Sequence, residues 1–344
     1  MANLHVVTGG SGYFGNLLVA RLLDRGERVR VFDILDADDR PEAVEFIQGD
    51  IRDKQAVSRA VEGADVVHHN VAMVPLAKDK DAFWSVNSNG TLNLLEASRA
   101  HKVVKVVYTS SSAVFGVPQQ LPIDEYVTPR PAEAYGMAKL AGEEMCWRFA
   151  DDGLDVSIIR PRTIMGHGRL GIMQILFDWI RQGRNVPVFD GGHNKYQFVH
   201  ADDLAMACIL AAERDGPRAY NIGADRFGSL RETLQVLIEH AGTSSQVKSV
   251  PSAPAVMGMK LTSALGLSPL GAYHSLMYGE DMYFDGVRAK EELGWTPKYS
   301  NEEMFIESYN WYLEHREEVM SQKNASHHRS AVKHGVLDLF SRIL

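Results

Sequence analysis

Cysteine is scarce in this chain, and its two copies, Cys146 and Cys208, each lie in an apolar, helix-like stretch. That argues against a disulfide framework or a cysteine metal site, and for two small core residues in a reducing compartment. No apolar run reaches the length of a membrane span. A strand pattern begins where a secretory leader would otherwise stand, so a cytoplasmic protein is expected. Basic charge is also short: 36 Lys and Arg against 44 Asp and Glu leave a net charge of -8. Without a basic stripe, nucleic acid is not an expected partner. There is no internal repeat, and no metal is expected.

What is present is ample apolar material. At 344 residues, 45% hydrophobic and 23% charged, the chain can fill one large domain or two lobes. Residues 4–7 form a short strand-like run that breaks at Thr8-Gly9-Gly10-Ser11-Gly12-Tyr13-Phe14-Gly15. Residues 16–25 have helical periodicity, and 29–32 read as a second strand ending in Asp33. Strand, glycine turn, helix, strand and acid in that order make a dinucleotide-binding βαβ unit. Gly9 permits the sharp turn, Gly12 lets the backbone approach a diphosphate, and Gly15 lets the helix pack against the sheet. The helix N-terminus offers free N–H groups to phosphates. Asp33 can accept from both adenosine ribose hydroxyls and would repel a 2′-phosphate, which favours NAD over NADP.

The alternation continues: strand 45–48, helix 56–61, strand 65–69, helix 87–99, strand 105–111, helix 134–150 and strand 156–160. It predicts an α/β fold, a Rossmann-type doubly wound parallel sheet covered on both faces. Ligands in such sheets sit at the carboxyl ends of strands, so Asp50, Asn70, Ser110, Ser111 and Ser112 become candidates, and Asp50 and Ile51 could flank an adenine. Beyond Pro161 the rhythm loosens, with a helix at 172–181, short strands at 197–199 and 220–223, a helix at 230–240, and an irregular stretch over 241–282. The expected organisation is a nucleotide-binding domain over 1–160, its sheet completed by segments near 197–223. A smaller C-terminal substrate lobe covers 161–315, and a tail 316–344 carries an amphipathic segment at 336–344. That segment could pack on its own protein or a dimer mate, or touch a membrane surface.

Tyr135 and Lys139 are four residues apart on the helix over 134–150, so their side chains share one face. An ammonium beside a phenol stabilises the phenolate and lowers its pKa from about 10. Such a tyrosine can take a proton from a substrate hydroxyl.

These motifs together resemble the extended short-chain dehydrogenase/reductase family, in its NAD-dependent epimerase/dehydratase branch, over roughly residues 4–315. The resemblance is carried by Thr8–Gly15, Asp33, Gly49-Asp50-Ile51, the Val86–Thr91 helix entry, Tyr108–Gly116, Tyr135 with Lys139, Arg160-Pro161-Arg162, Val199–Ala205, Tyr220–Gly223 and Glu292–Pro297. It implies that Tyr135 is the general acid/base, that Lys139 lowers its pKa and bonds the nicotinamide ribose, and that Ser111 holds the substrate oxygen. It further implies an NAD-contacting set of Gly9, Gly12, Tyr13, Phe14, Gly15, Asp33, Asp50, Ile51, Asn70, Val71, Ala72, Asn87, Ser110, Tyr135, Lys139 and Pro161. A homodimer through helices near 87–99 and 134–150 is usual in the family.

Sugar dehydratases of this family carry an Asp-Glu pair after the catalytic hydroxyl, and decarboxylating members carry a Glu there. This chain has Ser112 and Ala113, so both reactions are disfavoured. The expected reaction moves a hydride at one secondary hydroxyl, as in a UDP-sugar 4-epimerase that keeps its NAD. Two departures qualify this: Pro161-Arg162-Thr163 stands where an Asn is usual, and Tyr278–Asp285 where an Arg-x-Gly-Asp element is usual. The latter stretch is similar to the 3β-hydroxysteroid dehydrogenase branch, so a sterol or lipid hydroxyl is the alternative, and an NAD-binding regulator without catalysis a third reading. Ser112, Arg162, Thr163, His167, Arg169 and Lys195 are the candidate contacts for the small-molecule substrate, the cations facing its diphosphate. His200 is expected to be a structural hydrogen-bonder.

Overall fold

The computed structural model describes residues 2–73, 80–168, 172–264 and 278–321. Segments 74–79, 169–171, 265–277 and 322–344 lie outside it, and with them Arg169 and the amphipathic tail segment. The main sheet is built from β1 (Leu4–Thr8), β2 (Arg28–Asp33), β3 (Glu45–Gln48), β4 (Val66–His69), β5 (Lys105–Thr109), β6 (Val156–Pro161) and a seventh strand, Arg218–Ile222. All neighbours are parallel, and the spatial order is Arg218–Ile222, β6, β5, β4, β1, β2, β3.

Adjacent residues on each strand enter opposite cores, as a period of two demands. Val6, Val106 and Ile158 face α2 (Lys54–Val61), α4 (Gly90–Ala100) and α5 (Ala134–Asp151). Val7, Val107 and Ile159 face the other layer, where α1 (Tyr13–Asp24) packs beside the helix Ala201–Glu213. Both cysteines are buried and unpaired, one in each layer.

The register aligns the strand ends. Thr8 is opposite both Phe32 and His69, His69 opposite Tyr108, Thr109 opposite Ile159, and Pro161 opposite Ile222. The residues that follow therefore lie in a row along one edge, with the change of winding direction between β1 and β4.

Several sequence expectations are corrected. Among the described residues of the later chain, only Arg218–Ile222 joins the main sheet. The strand Phe198–His200 pairs instead with Thr163–Met165 in a two-stranded sheet of its own. The stretch expected to be irregular contains a strand, Val247–Val250, paired with Val186–Phe189, and a helix, Ser252–Ala264. The helix expected over 87–99 starts with a π turn at Ser85–Asn89. A long helix, Asn301–Ser321, was not foreseen; it packs with Ile172–Arg181 and Leu230–Ala241 around a third core holding Phe177, Leu237, Phe305 and Tyr309. No helix among the described residues is long and apolar enough to cross a membrane.

Candidate active site

Gly9 turns the chain at a φ of 71°, its N–H bonded to Phe32 O. A side chain at Gly15 would put Cβ 2.1 Å from Gly9 O, so only glycine lets α1 start this close to the turn. Gly12 caps α1 without a side-chain bond, and the first turn carries no acid. A Cβ at Gly12 would meet only Gly9 O, at 3.2 Å, so the space beyond it is open. The N–H groups of a helix N-terminus, its partial positive charge and the room beyond Gly12 suit a diphosphate. Tyr13 and Phe14 turn inward and are buried.

Asp33 ends β2. Its carboxylate accepts from the N–H groups of Ser11, at 3.1 Å, and Ile34, at 2.7 Å, tying acid to glycine loop. Burial raises its pKa, against the pull of those donors. Lone pairs remain for ribose hydroxyls. Asp50 is paired with Arg52, which holds its carboxyl below the usual range. Ile51 is 3% exposed and packs on Gly90, so its side chain belongs to the core. At the end of β4, Asn70 Oδ1 accepts from Thr109 at 2.6 Å, while its Nδ2 is buried with no partner. A donor left over at the winding reversal fits a ligand there. Val71 and Ala72 follow, half-buried. Asn87 clasps the backbone of Met73 through both amide atoms, at 2.9 and 3.1 Å, so it shapes this loop with its side chain already engaged. The donor set as a whole fits a dinucleotide.

Glu133 caps α5 by accepting from the N–H groups of Tyr135 and Gly136, at 2.8 and 2.7 Å. A Cβ on Gly136 would lie 2.4 Å from Ala113 O. That contact seats the first turn of α5 on the 3-10 turn Ser112–Phe115, whose cap is Ser111. Ser111 is half-buried, and its Oγ accepts from Ala113 N–H at 3.2 Å, leaving its proton to donate. Lys139 is 4% exposed. Its Nζ donates to Thr109 O at 2.7 Å and lies 5.9 Å from the Tyr135 ring centroid. Burial pushes its ammonium down to about 8, with Glu143 pulling the other way.

Ser110 is differently placed from what its strand-end position suggests. Its hydroxyl is buried and donates to Glu143, which also holds Arg160 through two nitrogens. Ser112, 2% exposed, accepts from Arg162. Pro161 is buried in β6.

Of the cations expected to face a diphosphate, Arg169 lies outside the described residues, and the other three differ in their surroundings. Arg162 is 1% exposed, Lys195 is exposed beside the Tyr283 ring, and His167 is tied to Glu307. Thr163, half-buried, has its hydroxyl 3.3 Å from that of Tyr196. His200 caps Ala201–Glu213 as a structural hydrogen-bonder: its Nδ1 accepts from Asp202 N–H. The ring proton therefore sits on Nε2, and is donated to Glu307. His167, His200 and Glu307 cluster closely enough to suggest a cation cradle. The lone pair a cation would take at His200 carries that proton, so the cluster is a hydrogen-bonded latch. Glu133, Glu143, Tyr196 and Glu307 escaped sequence reasoning. Only Glu143 had a local signal, four residues beyond Lys139 on the same helix face.

Residues 5–223 match the family model of the NAD dependent epimerase/dehydratase family. The chain belongs to that family. It is 54% identical over 97% of its length to y4nG, an uncharacterized protein of Sinorhizobium fredii, covering 84% of that protein. It is 30% identical to the UDP-glucose 4-epimerase of Halalkalibacterium halodurans, over 90% of this chain and 96% of the other. Among solved structures, the UDP-glucose 4-epimerase of Thermotoga maritima with UDP-glucose superposes with a TM-score of 0.77 at 25% identity, covering 90% of this chain and 99% of that one. The seven-stranded sheet, the extended short-chain dehydrogenase/reductase assignment, the enzymatic character and the NAD cofactor all stand on these matches together with the fold. As a family member the chain is an NAD-dependent epimerase/dehydrogenase.

Proposed function

We propose that this enzyme is a 4-epimerase of a UDP-linked sugar, with Ser111, Tyr135 and Lys139 as its catalytic residues. The observation that carries the reading is the joining of α5 to the Ser111 turn through Gly136, beside a buried Lys139. Neither Ser112 nor Ala113 can act as a carboxylic acid, so the site holds one proton relay and nothing for elimination.

Ser111 orients the sugar hydroxyl by donating to its oxygen. Tyr135 takes the hydroxyl proton, and Lys139, held by Thr109 O, favours the phenolate that accepts it. Bound NAD supplies a hydride acceptor that returns what it takes. Asp33, the glycine loop and Asn70 orient it. Return of the proton from Tyr135 closes the cycle with no net redox change.

The chain is also proposed to act as a cytoplasmic homodimer through α4 and α5, since α5 leaves Met137 and Trp147 exposed. The test is direct: purified protein should carry NAD and interconvert UDP-glucose and UDP-galactose, or their acidic counterparts, without accumulating NADH. Net NADH formed on a sterol or other lipid alcohol, with no UDP-sugar turnover, would overturn the reading.

A further inference from the structure

Three polar side chains stand one turn apart along the same face of α5: Tyr135, Lys139 and Glu143. The first two belong to the proposed proton relay. Glu143 is 1% exposed, and both of its carboxylate oxygens are engaged. Oε1 accepts from the Ser110 hydroxyl at 2.5 Å. Arg160, itself 4% exposed, donates to Oε1 at 2.9 Å and to Oε2 at 2.6 Å. A buried ion pair adds little net stability over apolar packing of the same volume, because desolvation of two charges offsets their attraction. What surrounds this pair points to a second role.

Ser110 stands between Thr109 and Ser111. Thr109 O accepts from Lys139 Nζ at 2.7 Å, and Ser111 caps the turn Ser112–Phe115. Two consecutive residues at the end of β5 are thereby tied to two successive turns of α5, Thr109 to Lys139 and Ser110 to Glu143. Arg160 braces the same turn from β6, its guanidinium carbon 5.2 Å from the Phe115 ring centroid. The residues on either side of Ser111 are thus fixed to α5 through one carboxylate and its partner.

Charge adds a second effect. Lys139 Nζ lies 5.9 Å from the Tyr135 ring centroid and 5.2 Å from that of Tyr108 on β5, with His69 of β4 and Cys146 of α5 also near. Burial keeps His69 neutral, pushed down to about 3, and drives the Cys146 thiol and the Tyr108 phenol up, so these groups carry no charge at neutral pH. Glu143 is the carboxylate that acts on the ammonium, against the burial that pushes Lys139 down to about 8. We propose that Glu143 is a positioning residue of the proton relay, seating Ser111 through Ser110 and standing as the negative charge behind Lys139. The role rests on the relay reading of Ser111, Tyr135 and Lys139.

The experiment uses the NAD-loaded full chain and records kcat against pH on a UDP-sugar. Glu143→Gln keeps the acceptor and the shape but removes the charge. Its alkaline limb should fall below that of wild type by about one pH unit or more, with KM and co-purified NAD unchanged. Ser110→Ala removes the tether and keeps the charge, so kcat should drop by about tenfold or more while the limb stays in place. If Glu143→Gln leaves Arg160 too poorly matched to fold, adding Arg160→Met makes the pair neutral and should show the same displaced limb. A readout independent of turnover is the titration of Lys139 itself, by NMR on isotope-labelled lysine, its signal assigned by loss in Lys139→Met. It should move down with the limb. Glu143 variants that lose thermal stability while kcat, limb and Lys139 titration stay at their wild-type values would overturn the positioning role and leave the relay intact. Tyr135→Phe with wild-type turnover would remove the relay and the role together. If no UDP-sugar is turned over, the 4-epimerase reading falls and the Lys139 titration decides alone: displaced in Glu143→Gln it supports the role, unmoved it overturns it.

Discussion

At the scale of single residues, the proposed chemistry depends on a buried ammonium. Burial brings Lys139 down to about 8 from 10.5. Its folded-state value lies below its unfolded one, so between those two pH values the unfolded chain binds more protons. This group therefore makes the fold more stable as pH rises across that window. Activity should move the opposite way, because neutral Lys139 no longer favours the Tyr135 phenolate. A pH profile of kcat should fall on an alkaline limb near 8 while the thermal midpoint does not fall with it. A limb that stays flat to the ordinary lysine range would contradict the role. Tyr135→Phe should lower kcat by about 10²–10⁴-fold, the range of general acid–base catalysis, and leave bound NAD in place. Loss of both together would mean that the fold, not the proton transfer, had been damaged.

At the scale of elements, glycines and caps decide what meets what. Gly15→Ala would drive a methyl group into Gly9 O, so α1 must retreat from the turn. The expected result is loss of co-purified NAD with the circular dichroism of the fold retained. The unforeseen helix Asn301–Ser321 is tied to the site by Glu307, which joins His167 and His200. Burial opposes ionisation of Glu307, but the two imidazoles win and hold it near about 2. Glu307 also raises His167 above its ordinary 6.5. The latch is complete below that ordinary value and loses its His167 arm as pH rises through the raised one. Amide exchange at Gly166 and Gly168 should quicken over that interval. Glu307→Ala strands the buried Nε2–H of His200 and should cost about 1–3 kcal/mol in urea unfolding, the penalty for an unmatched buried donor. The exposed His167 arm adds little to that figure.

At the scale of the whole molecule, what the sequence disclosed follows the reach of each interaction. Gly9, Gly12, Gly15 and Asp33 lie within one βαβ unit, and Tyr135 and Lys139 within one turn of helix, so spacing along the chain singled them out as candidates. The parallel sheet was legible because short apolar strands alternate with helices along the chain, and in the fold Val6 and Val7, or Ile158 and Ile159, enter two opposite cores. Contacts made across the fold left no local trace. Arg160 finds Glu143 in another element, and Glu307 finds His200 from the far end of the chain. Serines 110 and 112 looked like open strand-end hydroxyls until Glu143 and Arg162 were seen to engage them. The late helix did carry a local signal, Ser300 and Glu303 capping one another ahead of Met304 and Phe305. In the proposed reaction one hydride leaves a sugar carbon and returns to it within a single enzyme. Turnover of a UDP-sugar deuterated at C4 measures this most directly, using mass spectrometry on the epimeric product. Full retention of deuterium with no NADH released is the expected result, whereas deuterium appearing in free NADH beside a keto product would contradict the account.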